Sequence, residues 1–269
     1  MALVIQKIYD GYKYFFYEIK DERSQDFFLI SNPPIPFAMI LIGYILMVKY
    51  GPIYMKMRKP YDLKYVMMVY NFFQVYFNVT IGIEAVYKIL IKGSFNYQCE
   101  NSDYSNTPRG LLFVRMSYYY FLLKVLDLMD TLFIILKKKD SHLSFLHCYH
   151  HFFMALGTYI AVRWVPGGHS TMLGIINSFV HGFMYSYYFL TAFKPELKQS
   201  IWWKKHITQI QLIQFAFLLV HYLRGALAVN CTYPKFWLWV MVIQNIFMLS
   251  LFGDFYYKAY IKKREKKSQ

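Results

Sequence analysis

Long apolar stretches alternate with short polar connections along most of the chain. A helix that crosses a bilayer needs about 20 mostly apolar residues. Seven stretches reach that length: about Ile35–Tyr54, Tyr65–Ile91, Leu111–Leu136, Phe145–Val165, Thr171–Phe193, Ile207–Val229 and Phe236–Tyr257. The first thirty residues do not form a cleavable signal, because Lys7, Asp10, Lys13, Glu18, Lys20, Asp21, Glu22 and Arg23 interrupt any apolar run. Asn32-Pro33-Pro34 then closes that segment. The pattern predicts an all-α, multi-pass membrane protein with seven transmembrane helices. It divides into an N-terminal segment 1–34, a seven-span domain 35–258 and a basic tail 259–269.

Charge gives the expected orientation. Alternate connections carry Lys56, Arg58, Lys59 and Lys64, then Lys137, Lys138 and Lys139, then Lys194, Lys198, Lys204 and Lys205, and finally Lys262, Lys263, Arg264, Lys266 and Lys267. The opposite loops hold little besides Lys92, Arg109 and Lys235. The positive-inside rule places the first set and the C-terminus in the cytosol, so an odd number of spans leaves the N-terminus luminal. Cys99 and Cys231 both fall on the non-cytosolic side, where disulfides persist, and are expected to pair; Cys148 is expected to stay reduced.

Composition agrees with this class. Hydrophobic residues make up 57% of the 269 and charged residues only 17%, with a net charge of +15. A disordered chain lacks that apolar content, and three cysteines are too few for a disulfide-dense scaffold. A nucleic-acid binder can carry the charge but does not need the apolar runs. Mean hydropathy is a modest +0.25, because the 27 Tyr score as mildly polar.

Polar residues inside the spans carry the candidate chemistry, since they are costly in lipid. Lys124, Asp127, Asp130 and Thr131 share one helical face. His147, His150 and His151 share another, and Asn177, His181, Tyr185 and Tyr188 a third. Thr208, Gln211 and Gln214 repeat every three residues, and Asn71, Gln74 and Asn78 mark the second span. All five stripes lie towards the cytosolic side, which predicts a polar chamber above an apolar tunnel. Each stripe also has a structural reading. Lys124 with Asp127 and Asp130 reads as a buried charge network, and Gln211 and Gln214 as interhelical hydrogen-bond glue. Tyr118–Tyr120 reads as packing or interface belt, His169 as a loop residue, and His142 and His206 as interfacial.

The histidine cluster suits metal ligation, nucleophilic or acid–base catalysis, or structural hydrogen bonding. Di-iron desaturases and hydroxylases use several such boxes; this chain has one, with His181 the single further intramembrane candidate and His221 near the far side. No nucleotide-binding glycine loop is present. A transporter would show repeats with broken helices, and none is evident.

Four ordered motifs resemble the very-long-chain fatty-acid elongase (ELO) family of the endoplasmic reticulum. They are Lys124-x-x-Asp127-x-x-Asp130-Thr131, His147-x-x-His150-His151, His181-x-x-Met184-Tyr185-x-Tyr187-Tyr188 and Thr208-x-x-Gln211-x-x-Gln214-Phe215. Asp127 stands where many members have Glu. The resemblance implies condensation of a long acyl-CoA with malonyl-CoA to a 3-oxoacyl-CoA, with no cofactor or bound metal. It implies an inverted barrel of spans two to seven around an acyl tunnel, with span one outside. It implies His150 as acyl carrier, with His147 and His151 orienting it and managing protons. His181 and Asn177 stand opposite, His181 stabilising the enolate or oxyanion. Lys124, Asp127, Asp130, Tyr185, Tyr188, Gln211 and Gln214 line the substrate site, and Lys137 and Lys204, among the mouth lysines, meet CoA phosphates. The implied partners are the two CoA substrates, the bilayer, and the reductases and dehydratase of the cycle; a homo-oligomer is compatible, nucleic acid is not expected. Lys266-Lys267-Ser268-Gln269 resembles a dilysine retrieval signal. Asn230-Cys231-Thr232 and Asn78-Val79-Thr80 are glycosylation sequons, the first with its Cys expected in the disulfide, the second inside a span.

Overall fold

The computed structural model describes residues 2–262, save the side chains of Ala2, Leu3 and Ile8. Lys266-Lys267 lies outside the described residues. Among these residues the regular structure is helical, without strands: α1 Ala2–Lys13, α2 Ile35–Met55, α3 Lys64–Ala85, α4 Pro108–Leu126, α5 Leu128–Leu136, α6 Phe145–Trp164, α7 Thr171–Phe193, α8 Ile201–Leu227 and α9 Lys235–Tyr256. Both α3 and α9 continue into looser π-type turns, Val86–Ile91 and Tyr257–Ile261.

Local chemistry sets the starts. Thr107 caps α4 by accepting from the Gly110 N–H at 3.2 Å, and Pro108 fills the first helical position, where a missing N–H costs nothing. Ser144 caps α6 in the same way through the His147 N–H at 3.2 Å. The α6–α7 turn needs glycine: Gly167 and Gly168 have φ of +72° and +57°, and a Cβ on Gly167 would strike the Phe113 ring. Where α3 packs on α7, a Cβ on Gly182 would lie 2.9 Å from Val79 Cγ2, so the small residue lets the two backbones approach.

Three differences from the sequence pattern have physical reasons. The third apolar stretch breaks at Asp127 into α4 and α5. The Asp127 N–H still reaches Leu123 O at 2.9 Å, but the Asp130 N–H bonds Asp127 O at 3.2 Å, a three-residue spacing that tightens the helix there. Helix α8 starts at Ile201 rather than Ile207, because its first turn is Trp- and Lys-rich and hydropathy does not register a polar helical turn. Helix α1 was invisible for the same reason, its charges breaking any apolar window.

The loops gather at two ends. At one end Cys99 is joined to Cys231, with Cα atoms 5.5 Å apart. There Arg23 donates to the carbonyls of Asp103 (3.0 Å) and Ser105 (2.5 Å). Arg163 at the end of α6 is 1% exposed and has no carboxylate partner among the described residues; it donates to Phe16 O, Ile30 O and Asn32 Oδ1 and lies against the rings of Phe16, Tyr159 and Trp164. A buried cation with several carbonyl acceptors fastens the N-terminal segment to the bundle. At the other, basic end Lys138 donates to the carbonyls of Lys56 and Arg58, each at 3.2 Å.

The pattern predicts seven spans; four helical stretches, Ile35–Met55, Lys64–Ile91, Ile201–Leu227 and Lys235–Ile261, are long and apolar enough to cross a membrane unaided. The remaining rods, α4–α5, α6 and α7, hold the buried lysine, the histidines and Asn177, which lower their hydropathy. The outer faces are apolar, as in Ile35, Met39, Ile42, Leu46 and Ile53 of α2, all about half-exposed or more; a bundle with such a surface belongs in lipid. Helix α2 buries only Phe37, Tyr44 and Met55 and packs at the edge, against α5 and α6.

His169 lies in the turn between α6 and α7, as its place in the sequence suggests, but is closed off from solvent. It is fully buried and stacks on His221 with ring centroids 3.7 Å apart, because Gly225 leaves room for its ring.

Candidate active site

Lys124 sits at the centre of a buried polar network in the basic half of the bundle. Its side chain is inaccessible, and Nζ lies 2.8 Å from Asp127 Oδ2, 3.0 Å from Asn177 Oδ1 and 3.2 Å from His181 Nδ1. Asp127 Oδ1 also accepts from Gln74 Nε2 at 2.8 Å, with the Tyr185 hydroxyl oxygen 3.2 Å away. Burying a charge is tolerable only with such complete pairing.

Asp130 does not join the Lys124 pair. It lies beyond the helix break and accepts from the Tyr185 hydroxyl at 2.5 Å instead. Tyr120 is likewise no belt residue: it is buried and its hydroxyl donates to Asn177 Oδ1 at 2.8 Å. Its position one turn before Lys124 on the same face was the signal available in the sequence. Gln214 is buried and accepts from Asn177 Nδ2 at 3.5 Å, whereas Gln211, half-buried, reaches only Met184 Sδ at 3.7 Å. Tyr188 packs 6.0 Å from the Tyr185 ring but stays 42% exposed. Asn78 is fully buried and donates to Gln74, which removes its sequon from use.

The three histidines of α6 occupy different surroundings. His147 Nε2 is 2.9 Å from Thr131 Oγ1, which in turn is 3.1 Å from the Tyr44 hydroxyl of α2. His151 is buried and lies against His147, ring centroids 4.2 Å apart and planes tilted by 40°. His150 faces across to His181, ring centroids 6.5 Å apart, and is flanked by Phe215 and Phe252. Among the described residues nothing hydrogen-bonds to the His150 ring, which lines a cavity of about 280 Å³. From His150 and Met248 the cavity follows α6 past Phe153, Gly157 and Ala161, and α9 past Asn245 and Met241, to Phe113, Ser170 and Trp237 near the disulfide end. From residue 150 to 161 a helix rises roughly 16 Å. The wall is apolar apart from His150 and a few amides and hydroxyls, so it suits a long alkyl chain with its polar end at the imidazole. Among the described residues no three His, Cys, Asp or Glu side chains converge as a metal site.

Basic residues of separate loops gather at this end of the bundle. Burial and the neighbouring Lys139 and Lys198 push the Lys137 ammonium down. Burial, then Lys139 and Lys204, lower the His142 imidazole. These lysines belong to two connections, α5–α6 and α7–α8 with the first turn of α8. Lys204 itself is exposed.

Residues 28–268 match the model of the ELO: GNS1/SUR4 family. The chain belongs to that family. It is 36% identical to a very long chain fatty acid elongase of Aedes aegypti over 97% of this chain and 72% of that protein. It is 36% identical to human very long chain fatty acid elongase 4 over 94% of this chain and 79% of the relative. It is 38% identical to rat very long chain fatty acid elongase 7 over 90% and 86%. The ELO match spans α2 to α9 and so contains every residue of the polar network and the cavity.

Proposed function

We propose that this chain condenses a long-chain acyl-CoA with malonyl-CoA, giving a 3-oxoacyl-CoA two carbons longer with release of CoA and carbon dioxide. The observation that carries it is an unbonded, neutral-capable imidazole, His150, at the polar end of an apolar cavity and facing a second imidazole, His181. His150 attacks the thioester carbonyl and the C–S bond breaks; the imidazole proton goes to the departing thiolate. Malonyl-CoA then loses carbon dioxide, and its enolate carbon attacks the acyl-imidazole, displacing His150 as the imidazolate, which takes one proton from solvent, the proton that the overall condensation consumes. His181 donates to the oxygen that gains charge, worth about 10²–10³-fold in rate. His147 and His151 hold the ring and manage protons, and Asn177 and Lys124 hold His181.

The membrane placement follows the same reading. All seven rods span the bilayer of the endoplasmic reticulum, with α3 to α9 around the cavity and α2 outside. The basic end faces the cytosol, where the lysines meet CoA phosphates, and the disulfide end faces the lumen. Incubation of the purified chain with labelled malonyl-CoA and a panel of acyl-CoAs tests the reaction: a product two carbons longer is expected. Intact-mass analysis after acyl-CoA alone should show one acyl adduct, absent from His150→Ala. An adduct that persists in that variant removes His150 as the carrier.

A further inference from the structure

We infer that Lys124 is a positioning residue that sets the tautomer of His181, leaving its proton on Nε2. This builds on the donor role proposed above for His181. An ammonium has three protons and no lone pair. The Lys124 side chain has no access to solvent, so each proton needs an acceptor within the protein. Three acceptors surround it: Asp127 Oδ2 at 2.8 Å, Asn177 Oδ1 at 3.0 Å and His181 Nδ1 at 3.2 Å. Filling all three requires a lone pair, not a proton, on His181 Nδ1.

The alternative partner for that nitrogen is Asp127 Oδ2, 3.3 Å away. Its carboxylate already receives Gln74 on one oxygen and Lys124 on the other and does not need a further donor. A proton on Nδ1 would also meet the third ammonium proton head-on and leave it buried without a partner. The neutral ring therefore carries its proton on Nε2, the nitrogen away from Lys124. That nitrogen is free to donate to an oxygen held between His181 and His150. The same cation, 2.8 Å from its own carboxylate, raises the cost of a second positive charge on His181, so the ring serves as a neutral donor rather than as a base.

The full chain, labelled with ring-¹⁵N histidine and placed in lipid nanodiscs, tests this by solid-state NMR near neutral pH. The His181 signals are assigned by their absence from His181→Gln. An unprotonated Nδ1 with a protonated Nε2 is expected; a protonated Nδ1 in the unsubstituted chain overturns the assignment. In Lys124→Met the proton is expected to move to Nδ1, facing Asp127. Turnover should then fall about 10²-fold with substrate KM little changed. A variant that keeps the original tautomer also overturns it. Where Lys124→Met does not fold, the spectrum of the unsubstituted chain decides alone. The expected tautomer in a chain without condensing activity would leave the positioning intact and sink the proposed reaction instead.

Discussion

Two buried histidine pairs in this molecule are held in opposite ways. At the disulfide end His169 and His221 stack at 3.7 Å, and each donates from Nε2 to the other's backbone carbonyl at 3.0 Å. His169 Nδ1 also accepts the Glu100 N–H at 3.3 Å. In the basic half His150 and His181 stand 6.5 Å apart; one is anchored through Nδ1 by Lys124 and the other by packing alone. A ring whose nitrogens are committed to backbone has no lone pair or proton to offer a substrate. A ring held on one side, as His181 is, keeps one nitrogen to offer, and a ring held by packing, as His150 is, keeps both. Burial alone therefore does not distinguish a structural histidine from a chemical one: both nitrogens of His169 are spent on backbone, whereas among the described residues neither nitrogen of the cavity-lining His150 is.

The sharpest way to break this contrast is to remove one member of each pair. His150→Ala should lower malonyl incorporation at least about 10³-fold while leaving thermal stability nearly unchanged. His169→Ala should do the reverse. It strands the Glu100 N–H and the His221 carbonyl, costing roughly 2–4 kcal/mol, yet the folded fraction should elongate at close to the normal rate. Equal loss of rate per folded molecule in both variants would erase the distinction.

The disulfide end should also respond to loss of its covalent tie. Cys99→Ser with Cys231→Ser is expected to cost about 2–4 kcal/mol in denaturation, with product lengths and turnover retained at low temperature. A smaller effect separates the ends by pH. Burial pushes the His169 imidazole below its ordinary value, against the weaker opposing effect of its bond to His221; Arg224 adds to the lowering. The unfolded ring takes up a proton more readily than the folded one, so this contribution is present above pH 6.5 and is lost as pH falls below it. A thermal scan against pH should show that acid-side slope in the native chain and a shallower one in His169→Ala.

The smallest expected effect is at Asp103. Hydrogen bonds from Ser105 and then Thr107, with Arg23 nearby, hold its carboxyl below the usual range. Its stabilisation is present above the ordinary value of 3.8 and lost as pH falls further. Asp103→Asn should flatten the curve in that range and leave elongation untouched. A rate change there would mean that the disulfide-end loops reach the chemistry after all.

Much of this architecture was legible in the chain. Helix α7 occupies the predicted Thr171–Phe193, and α6 differs from its predicted end by one residue, since apolar length and a capping Ser144 act locally. The helical spacing of Lys124, Asp127, Asn177 and His181 put each on the correct face, because a face is a property of a single helix. The pairing of Cys99 with Cys231 followed from the side on which each loop falls.

What no single helix specifies had to wait for the fold. Asp130 turned away from Lys124 because the break at Asp127 rotates α5, and Tyr120 and Gln74 entered the network because α3, α4 and α7 pack there. His169 is a residue of the α6–α7 turn, and its burial comes from α8, which brings His221 and Gly225 against it. The buried Arg163 found its acceptors in a segment more than a hundred residues earlier in the chain. Sequence thus determined which residues lie in the apolar rods and on which side of each rod. Only the tertiary structure decided which polar atoms meet, because hydrogen bonds depend on distances of a few tenths of an ångström between helices that periodicity cannot place.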